Sequence, residues 1–273
     1  GNGACSMGFK VKESTKALEH TLKQGAKAFN HHAEKIEPDM KAIMGIGESL
    51  IYFCDNKTEP YKNFEPLASL PPLSKSDLYL IDHLTHNVYQ GNLDKWADFY
   101  TKLFNFHEIR FFDIEGEKTG LLSRAMGSPC GKIKIPLNES KDKSSQIEEF
   151  LTEYKGEGIQ HIALLTEDIY QAVEKIRAND INFLEVPNAY YDMISSRLPW
   201  QEEDLPRMKK NGLLIDGGKE KEEGLLLQIF TKNLLGPAFF EIIQRKGHNG
   251  FGEGNFTALF EAIERDQIER GVI

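Results

Sequence analysis

Apolar and polar positions follow first a strand period and then a helix period in a module that begins near Leu78. The run LYLIDHLTHNV is typical of a buried strand, and the segment after it places apolar residues on one face of a predicted helix. Strand-like runs then follow at 107–114, 119–126 and 131–137. This order of segments is a βαβββ unit.

The same order begins again further along the chain. The strand GIQHIALL leads into a second amphipathic helix, and strand-like runs follow at 182–186, 212–215, 225–230 and 238–244. Residues 4–29 show the same opening, a strand followed by a helix. Because one such module cannot cover its own sheet, the repetition predicts an α+β fold of repeated βαβββ modules.

Four prolines among polar residues mark 56–77 as an extended linker. We expect 1–55 to be a partial N-terminal domain with one βαβββ-like module. We expect 78–273 to be a C-terminal catalytic domain with two modules and a final helix, which follows a glycine-rich loop. That helix is either a lid or an ordinary packed helix. The absence of an initiator Met indicates a fragment.

The charge of the chain restricts its partners. A net charge of −9 and a pI near 5.5 argue against nucleic acid and against an anionic membrane surface, since both require a basic face. No apolar run approaches the roughly 18 residues of a membrane span, and no signal peptide is recognisable. The three cysteines are far apart, which favours neither a disulfide framework nor a clustered zinc site. We therefore expect a cytoplasmic protein.

Glu241 lies in an apolar predicted strand, between two phenylalanines and two isoleucines. An ionised carboxylate there is too costly to bury unless it is paired with a charge or bound to a metal. His83 and His161 lie in comparably apolar strands, each the first strand of its module. Two histidines and one carboxylate form a candidate iron(II) site, with ligands on one side and open positions for substrate and dioxygen.

Each of these residues also has an ordinary structural explanation. A single buried histidine is commonly a hydrogen-bonded core residue, and a buried glutamate can form a salt bridge. Strand alternation places Thr85 and Asn87 beside His83 and turns His86 away. His83 is therefore the better candidate ligand on this strand.

Longer motifs connect these residues with a known family. The matching stretches are IDHLTHNV, FYTKLFNFHEIRFFDI, TGLLSRAM, IKIPLNE, QIEEFL, GEGIQHIALLT, LLLQIF, GPAFFEIIQRKG and GFGEGNFTALFEAIERDQ. Through them, nearly all of 78–273 resembles the bacterial type of the 4-hydroxyphenylpyruvate dioxygenase family, in the vicinal oxygen chelate superfamily. Residues 4–55 resemble the second half of the family's N-terminal domain, and its first module is absent. The resemblance implies modules that form open half-barrels, as in the glyoxalase-like fold.

The resemblance also implies a reaction. His83, His161 and Glu241 would bind iron(II), and the substrates would be 4-hydroxyphenylpyruvate and O2. Oxidative decarboxylation, ring hydroxylation and side-chain migration would then give homogentisate and CO2, a step of tyrosine and phenylalanine catabolism. Family members form homodimers or tetramers, so a homo-oligomer is expected.

Pocket residues carry over at matching motif positions. The resemblance implies catalytic roles for four polar residues, Gln228, Asn138, Gln146 and Ser123. It implies substrate contacts for Pro136, Gln160, Phe230, Phe239, Phe251, Asn255, Phe256, Leu259 and Phe260. Amide groups suit a phenol hydroxyl and phenylalanines suit its ring. On pattern alone, strand glutamines usually bond backbone or water, and apolar residues at helical spacing usually form core.

Three other functions remain open at this point. 4-Hydroxymandelate synthase shares the fold, the metal and the substrate but oxidises the benzylic carbon. An extradiol ring-cleaving dioxygenase would accept a catechol. A metal-free ligand-sequestering protein of the same superfamily would lack the three ligands, so their presence disfavours it.

Overall fold

The structure is a computed structural model that describes residues 3–29, 40–59, 61, 64–65, 77–115, 120–143, 145–255 and 258. Most of the expected linker and most of the expected C-terminal helix, with Phe256, Leu259 and Phe260, lie outside these residues. The domain division at 56–77 therefore stays a prediction. Among the described helices, none is long and apolar enough to cross a membrane.

A three-stranded sheet forms the N-terminal part. Its elements are β1 (Ser6–Lys10), α1 (Ser14–Lys23), β2 (Lys41–Met44) and β3 (Leu50–Cys54). The strand order is β1-β3-β2, with β1 parallel to β3 and β2 antiparallel to it. The strand and helix expected at 4–29 are present.

The next elements form a complete βαβββ module, followed by a linking helix. The module consists of β4 (Leu78–Val88), α2 (Leu93–Phe104), β5 (His107–Glu115), β6 (Gly120–Gly127) and β7 (Lys134–Ser140), and the linking helix is α3 (Gln146–Tyr154). Leu93, Ala97, Tyr100 and Leu103 are the buried residues of α2 and recur at helical spacing. The helix ends at Asn105, whose positive φ of 56° turns the chain.

A second module follows with three short helices inserted. Its elements are β8 (Gly158–Thr166), α4 (Ile169–Arg177), α5 (Asn188–Asp192), α6 (Ile194–Arg197), α7 (Leu205–Asn211), β9 (Leu214–Gly217), β10 (Leu225–Phe230) and β11 (Phe239–Lys246). The prediction of a strand at 182–186 was wrong. That segment makes only an isolated bridge between Phe183 and Thr231, because it pairs with residues at and beyond the end of β10 and then enters α5 at Pro187.

One eight-stranded sheet joins the two modules in the order β5-β6-β7-β4-β8-β11-β10-β9. The first strands of the modules, β4 and β8, pair antiparallel at its centre. Within each module the last strand pairs parallel with the first, β7 with β4 and β11 with β8. The repeated-module α+β fold expected from the sequence is confirmed.

The N-terminal sheet shares a hydrophobic core with the first module. Phe9, Ile51 and Phe53 pack in one cluster with Tyr100 of α2 and Leu137 of β7. Val88 of β4 belongs to the same cluster. The helix α2 is thus covered on one side by the N-terminal sheet and supports the large sheet on the other.

Glu157, just before β8, ties these parts together. Its carboxylate accepts hydrogen bonds from the Tyr89 backbone at 2.9 Å, from Asn92 Nδ2 at 2.7 Å and from Trp96 Nε1 at 2.9 Å. Its backbone carbonyl lies against Gly47, in the turn between β2 and β3. A buried carboxylate with three donors fixes the junction between the modules.

Gly47→Ala should destabilise the protein more than Gly131→Ala does. Both glycines have positive φ, 57° and 70°, so a side chain costs about 1–2 kcal/mol of backbone strain at each. A Cβ at Gly47 would lie 1.8 Å from the carbonyl oxygen of Glu157, whereas one at Gly131 would meet nothing within 4 Å. Because of this overlap, Gly47→Ala should lose about 1–3 kcal/mol more unfolding free energy than Gly131→Ala. Urea unfolding of the two variants measures the difference. Equal losses in the two variants would contradict the close approach.

Candidate metal centre

The candidate ligands lie on three neighbouring strands at the middle of the large sheet. His83 is on β4, His161 on β8 and Glu241 on β11. Ala163 of β8 lies opposite both His83 and Glu241 in the strand register, and His161 is two residues before it. Since alternate residues share a face, the three side chains project from one side of the sheet. The small side chain of Ala163 leaves space between them.

The three side chains converge. Their ligand atoms all lie within 4.8 Å of one another. Nε2 of His83 is 3.1 Å from Oε2 of Glu241, and Nε2 of His161 is 3.4 Å from the same oxygen. The exposed fractions of the side chains are 3%, 2% and 12% for His83, Glu241 and His161.

This donor set fits a divalent metal ion. Two imidazole Nε2 atoms and one carboxylate face a common point, as in mononuclear non-haem sites with two histidines and one carboxylate. Oε1 of Glu241 is buried and has no hydrogen-bond partner among the described residues. A buried carboxylate oxygen without a donor is costly in a closed protein core, and a cation supplies what it lacks.

Burial and charge act in opposite directions on these groups. Burial alone would lower the pKa of His83, but Glu241 and Asp82 outweigh it and raise that pKa. Burial would raise the pKa of Glu241, but the two imidazoles outweigh it and lower the pKa to about 2. The pKa of His161 is lowered, because burial exceeds the effect of Glu241. At neutral pH the site therefore holds an ionised carboxylate and a neutral His161.

Both imidazoles are held from behind through their Nδ1 atoms. Nδ1 of His83 is 2.8 Å from Oδ2 of Asp82, and Nδ1 of His161 is 3.0 Å from Oε1 of Gln160. Both partners are acceptors and suit rings that carry a proton on Nδ1, which is the tautomer a metal at the shared point would require of both histidines. Gln160, expected to contact substrate, thus lies beside a ligand, whereas Asp82 was missed by the sequence reasoning.

Asp82 reaches His83 through an irregularity of β4. Neighbouring strand residues normally point to opposite faces, which is why the pattern gave no sign of this pair. The pairing of β4 with β8 shifts register between Ile81 and His83. A bulge of this kind redirects side chains and allows two adjacent residues to interact.

Phenylalanines surround the two imidazoles. Phe239 stacks on His161 with ring centroids 5.0 Å apart, and Phe230 lies 6.1 Å from the same ring. Phe251 lies 5.4 Å from the ring of His83. The structure thus brings these three sequence-predicted residues to the metal centre, where they make an apolar wall.

A row of polar residues extends from the site across the first module. Ser123 pairs with Asn138 in the register of β6 and β7, and Asn138 pairs with Asn87 of β4. Pro136 precedes Asn138 on the same face of β7. Asn87 is fully buried, and neither amide atom has a partner among the described residues. Asn87 in this row therefore has hydrogen-bonding capacity that the described residues do not use.

Gln228 and Gln146 are placed differently. Gln228 of β10 is 2% exposed, and its Oε1 has no partner among the described residues. The loop after β11 lies directly on it, because a Cβ at Gly252 would be 2.1 Å from that oxygen. Gln146 is exposed at the first position of α3, so its role stays a prediction.

Asn255 is buried at the start of the final helical segment. Its Oδ1 accepts a hydrogen bond from the Tyr190 hydroxyl at 2.6 Å, and Arg197 NH2 lies 3.4 Å away. Its Nδ2 has no partner among the described residues. These contacts anchor Asn255 to α5 and α6, and the sequence pattern did not indicate its partners.

In the metal-free protein, Glu241→Gln should lower stability most between pH 4.5 and pH 6.5. The ionised Glu241, with a lowered pKa, stabilises the fold above pH 4.5, and this contribution is lost as the pH falls toward about 2. His83, with a raised pKa, stabilises the fold below pH 6.5, and this contribution is lost as the pH rises through that pKa. Urea unfolding with a chelator at about pH 3.5, 5.5 and 8 measures the difference. A pH-independent difference would contradict the coupling.

Comparisons with known proteins agree with this arrangement. The family model described as Hydroxyphenylpyruvate dioxygenase, HPPD, N-terminal matches residues 1–83, and that of the Glyoxalase/Bleomycin resistance protein/Dioxygenase superfamily matches residues 80–193. A mutant of 4-hydroxymandelate synthase from Streptomyces coelicolor has a similar structure, with a TM-score of 0.76 and 26% identity. The alignment covers 96% of this chain and 76% of that one.

Sequence relatives are closer. The 4-hydroxyphenylpyruvate dioxygenase of Legionella pneumophila (strain Corby) is 58% identical over 273 residues, which are 100% of this chain and 78% of the relative. The enzyme of that name from Pseudomonas aeruginosa is 51% identical over 277 aligned residues, covering 100% of this chain and 77% of the relative. Identity at this level along the whole chain shows that it belongs to the 4-hydroxyphenylpyruvate dioxygenase family.

Proposed function

We propose that the protein is an iron(II)-dependent dioxygenase that converts 4-hydroxyphenylpyruvate and O2 into homogentisate and CO2. The observation that carries the proposal is the convergence of His83, His161 and Glu241 in the middle of the sheet. All 273 residues of this chain align with a 4-hydroxyphenylpyruvate dioxygenase at 58% identity, and the alignment covers 78% of that relative. The reaction combines oxidative decarboxylation, ring hydroxylation and side-chain migration, and serves tyrosine and phenylalanine catabolism.

His83, His161 and Glu241 would hold the iron. When bound by two imidazoles and one carboxylate, iron(II) supplies redox chemistry and open coordination positions for the 2-oxo acid and dioxygen. Asp82 and Gln160 would orient the two rings and favour the tautomer that binds a metal through Nε2. Rigid strands on which ligands are fixed limit the movement of the site during turnover.

The walls of the site suit an aromatic substrate. Phe230, Phe239 and Phe251 present ring faces and edges near the ligands, and these surfaces pack on a phenyl ring and exclude water. Water exclusion protects a reactive site from side reactions.

Polar groups would orient the substrate. Oε1 of Gln228 is a buried acceptor without a partner among the described residues and suits the phenol hydroxyl. A carboxamide cannot deprotonate a phenol, so Gln228 acts by orientation. We assign the same kind of role to Asn138, Ser123 and Gln146.

The remaining pocket assignments belong to the proposal as well. Pro136, Gln160 and Asn255, with Phe256, Leu259 and Phe260 of the final helix, would complete the substrate-binding set. The cytoplasmic location and the homo-oligomeric state, dimer or tetramer, also stay predictions.

A second candidate is 4-hydroxymandelate synthase, because a protein of that name has a similar structure. It acts on the same substrate but oxidises the benzylic carbon and adds no second hydroxyl to the ring. Identification of the organic product after anaerobic iron(II) loading and addition of oxygen distinguishes the two. Homogentisate supports the proposal, and 4-hydroxymandelate replaces it with the alternative.

Replacement of His83, His161 or Glu241 by Ala should abolish both stoichiometric iron(II) binding and turnover, since each removes one of three protein ligands. His86→Gln is a matched control on the strand of His83. Its ring faces Tyr100 in the core, with centroids 6.5 Å apart, so iron binding should persist. Metal analysis after anaerobic loading measures the outcome. Full iron stoichiometry in Glu241→Ala would refute the ligand assignment.

Gln228→Ala should keep iron and lose substrate positioning. Loss of a hydrogen bond in a buried site costs about 1–3 kcal/mol, which is a decrease of about 5- to 150-fold in kcat/KM. Gln244→Ala on β11 is the control, because that amide bonds the backbone of Glu167 and Ile169 instead. Steady-state kinetics with iron quantified in each sample makes the comparison. An unchanged kcat/KM in Gln228→Ala would remove this residue from the pocket.

A further inference from the structure

Behind His83 lies a buried ion pair between Arg245 and Asp82. Arg245, near the end of β11, holds Asp82 side-on, with Nε 2.9 Å from Oδ1 and NH2 2.7 Å from Oδ2. The exposed fractions are 12% for the Arg245 side chain and 3% for that of Asp82. Because both carboxylate oxygens are engaged, Asp82 has one orientation, and this orientation fixes the ring of His83.

The same guanidinium holds the loop that follows β11. Its NH1 donates to the backbone carbonyl of His248 at 3.0 Å and to that of Gly250 at 2.7 Å. The next residue, Phe251, has its ring 5.8 Å from the Arg245 guanidinium and 5.4 Å from the ring of His83. The Arg245 side chain therefore contacts both Asp82, which bonds the ring of His83, and the loop that lies near that ring.

The loop that follows β11 packs closely on the residues beneath it. Gly252, with a φ of 79°, lies on Gln228, where a Cβ would be 2.1 Å from Oε1. Glu253 accepts a hydrogen bond from Arg110 at 2.5 Å, and the backbone N–H of Gly254 donates to Asp216 at 2.9 Å. Residues 247–254 are thus held by contacts at several points. The contact with Arg245 connects them to His83 through Asp82.

We propose that Arg245 and Asp82 are positioning residues that couple the geometry of His83 to the seating of residues 247–254. A displacement of the loop withdraws the carbonyls that hold the guanidinium, and the guanidinium in turn holds the carboxylate that aligns the ring. Binding of metal by His83 stabilises the seated loop in return, since coupling between two sites is reciprocal. The inference rests on His83 being a metal ligand, as in the proposed function.

The test measures metal affinity and loop protection together. Co(II), followed by its visible absorption, reports affinity without turnover, and hydrogen exchange of peptides covering 247–254 reports the loop. In the wild type, saturating Co(II) should slow exchange of these amides. Arg245→Met and Asp82→Asn should bind Co(II) about 10- to 100-fold more weakly. At saturating Co(II) the loop amides of both variants should still exchange quickly.

Arg207→Met is the matched control. Arg207 also holds a carboxylate side-on, that of Glu174, but at an exposed position on α7 and α4. Its loss should leave Co(II) affinity and loop exchange as in the wild type. Arg245→Lys keeps the charge without the side-on geometry, so it should show the defect even if Arg245→Met does not fold.

Two results would overturn the inference. Wild-type Co(II) affinity in Asp82→Asn and Arg245→Lys would show that His83 needs no such support. Weakened affinity with normal metal-dependent protection of the loop would show that the two effects are not coupled. His83→Ala separates this inference from the proposed function, because undiminished Co(II) binding there would refute the ligand assignment itself.

Discussion

The burial of one carboxylate is the constraint on which the candidate metal centre depends. Glu241 lies among apolar residues on β11, and its ionised form is stable there only if positive or hydrogen-donating groups reach it. They come from β4 and β8, the first strands of the two modules. The parallel pairing of β8 with β11 and the antiparallel pairing of β4 with β8 bring the three side chains to one place. The repeated module thus explains how residues distant in sequence form one centre.

The two faces of β4 connect this centre with the rest of the chain. His83 points to the metal centre, whereas Val88 on the same strand belongs to the core that α2 shares with the N-terminal sheet. Glu157 links the start of β8 to Tyr89, Asn92 and Trp96 around the start of α2. Packing of the N-terminal sheet therefore supports the strand that carries His83.

The metal centre is also a place where the protein leaves polar groups unpaired. Glu241, Gln228, Asn87 and Asn255 each have a buried side-chain atom without a partner among the described residues. Such atoms are rare in closed cores, because each costs free energy that folding does not recover. Among these residues, Glu241 is one of the three converging side chains, and Gln228 lies beneath the loop that follows β11.

The amino-acid sequence was enough to predict the repeated modules from strand and helix periods, and the three converging residues from the cost of burying Glu241. The phenylalanines near the centre were expected only from the resemblance to a known family. Only the tertiary structure decided how the centre is supported. The bulge that brings Asp82 to His83 breaks the period of two, and Arg245 meets Asp82 through strand pairing between distant segments. The segment 182–186 does not form the predicted strand. Its backbone bonds to residues at and beyond the end of β10, and this pairing also depends on distant segments. Local patterns carry no information about register shifts or about which distant groups meet, so these features needed the fold.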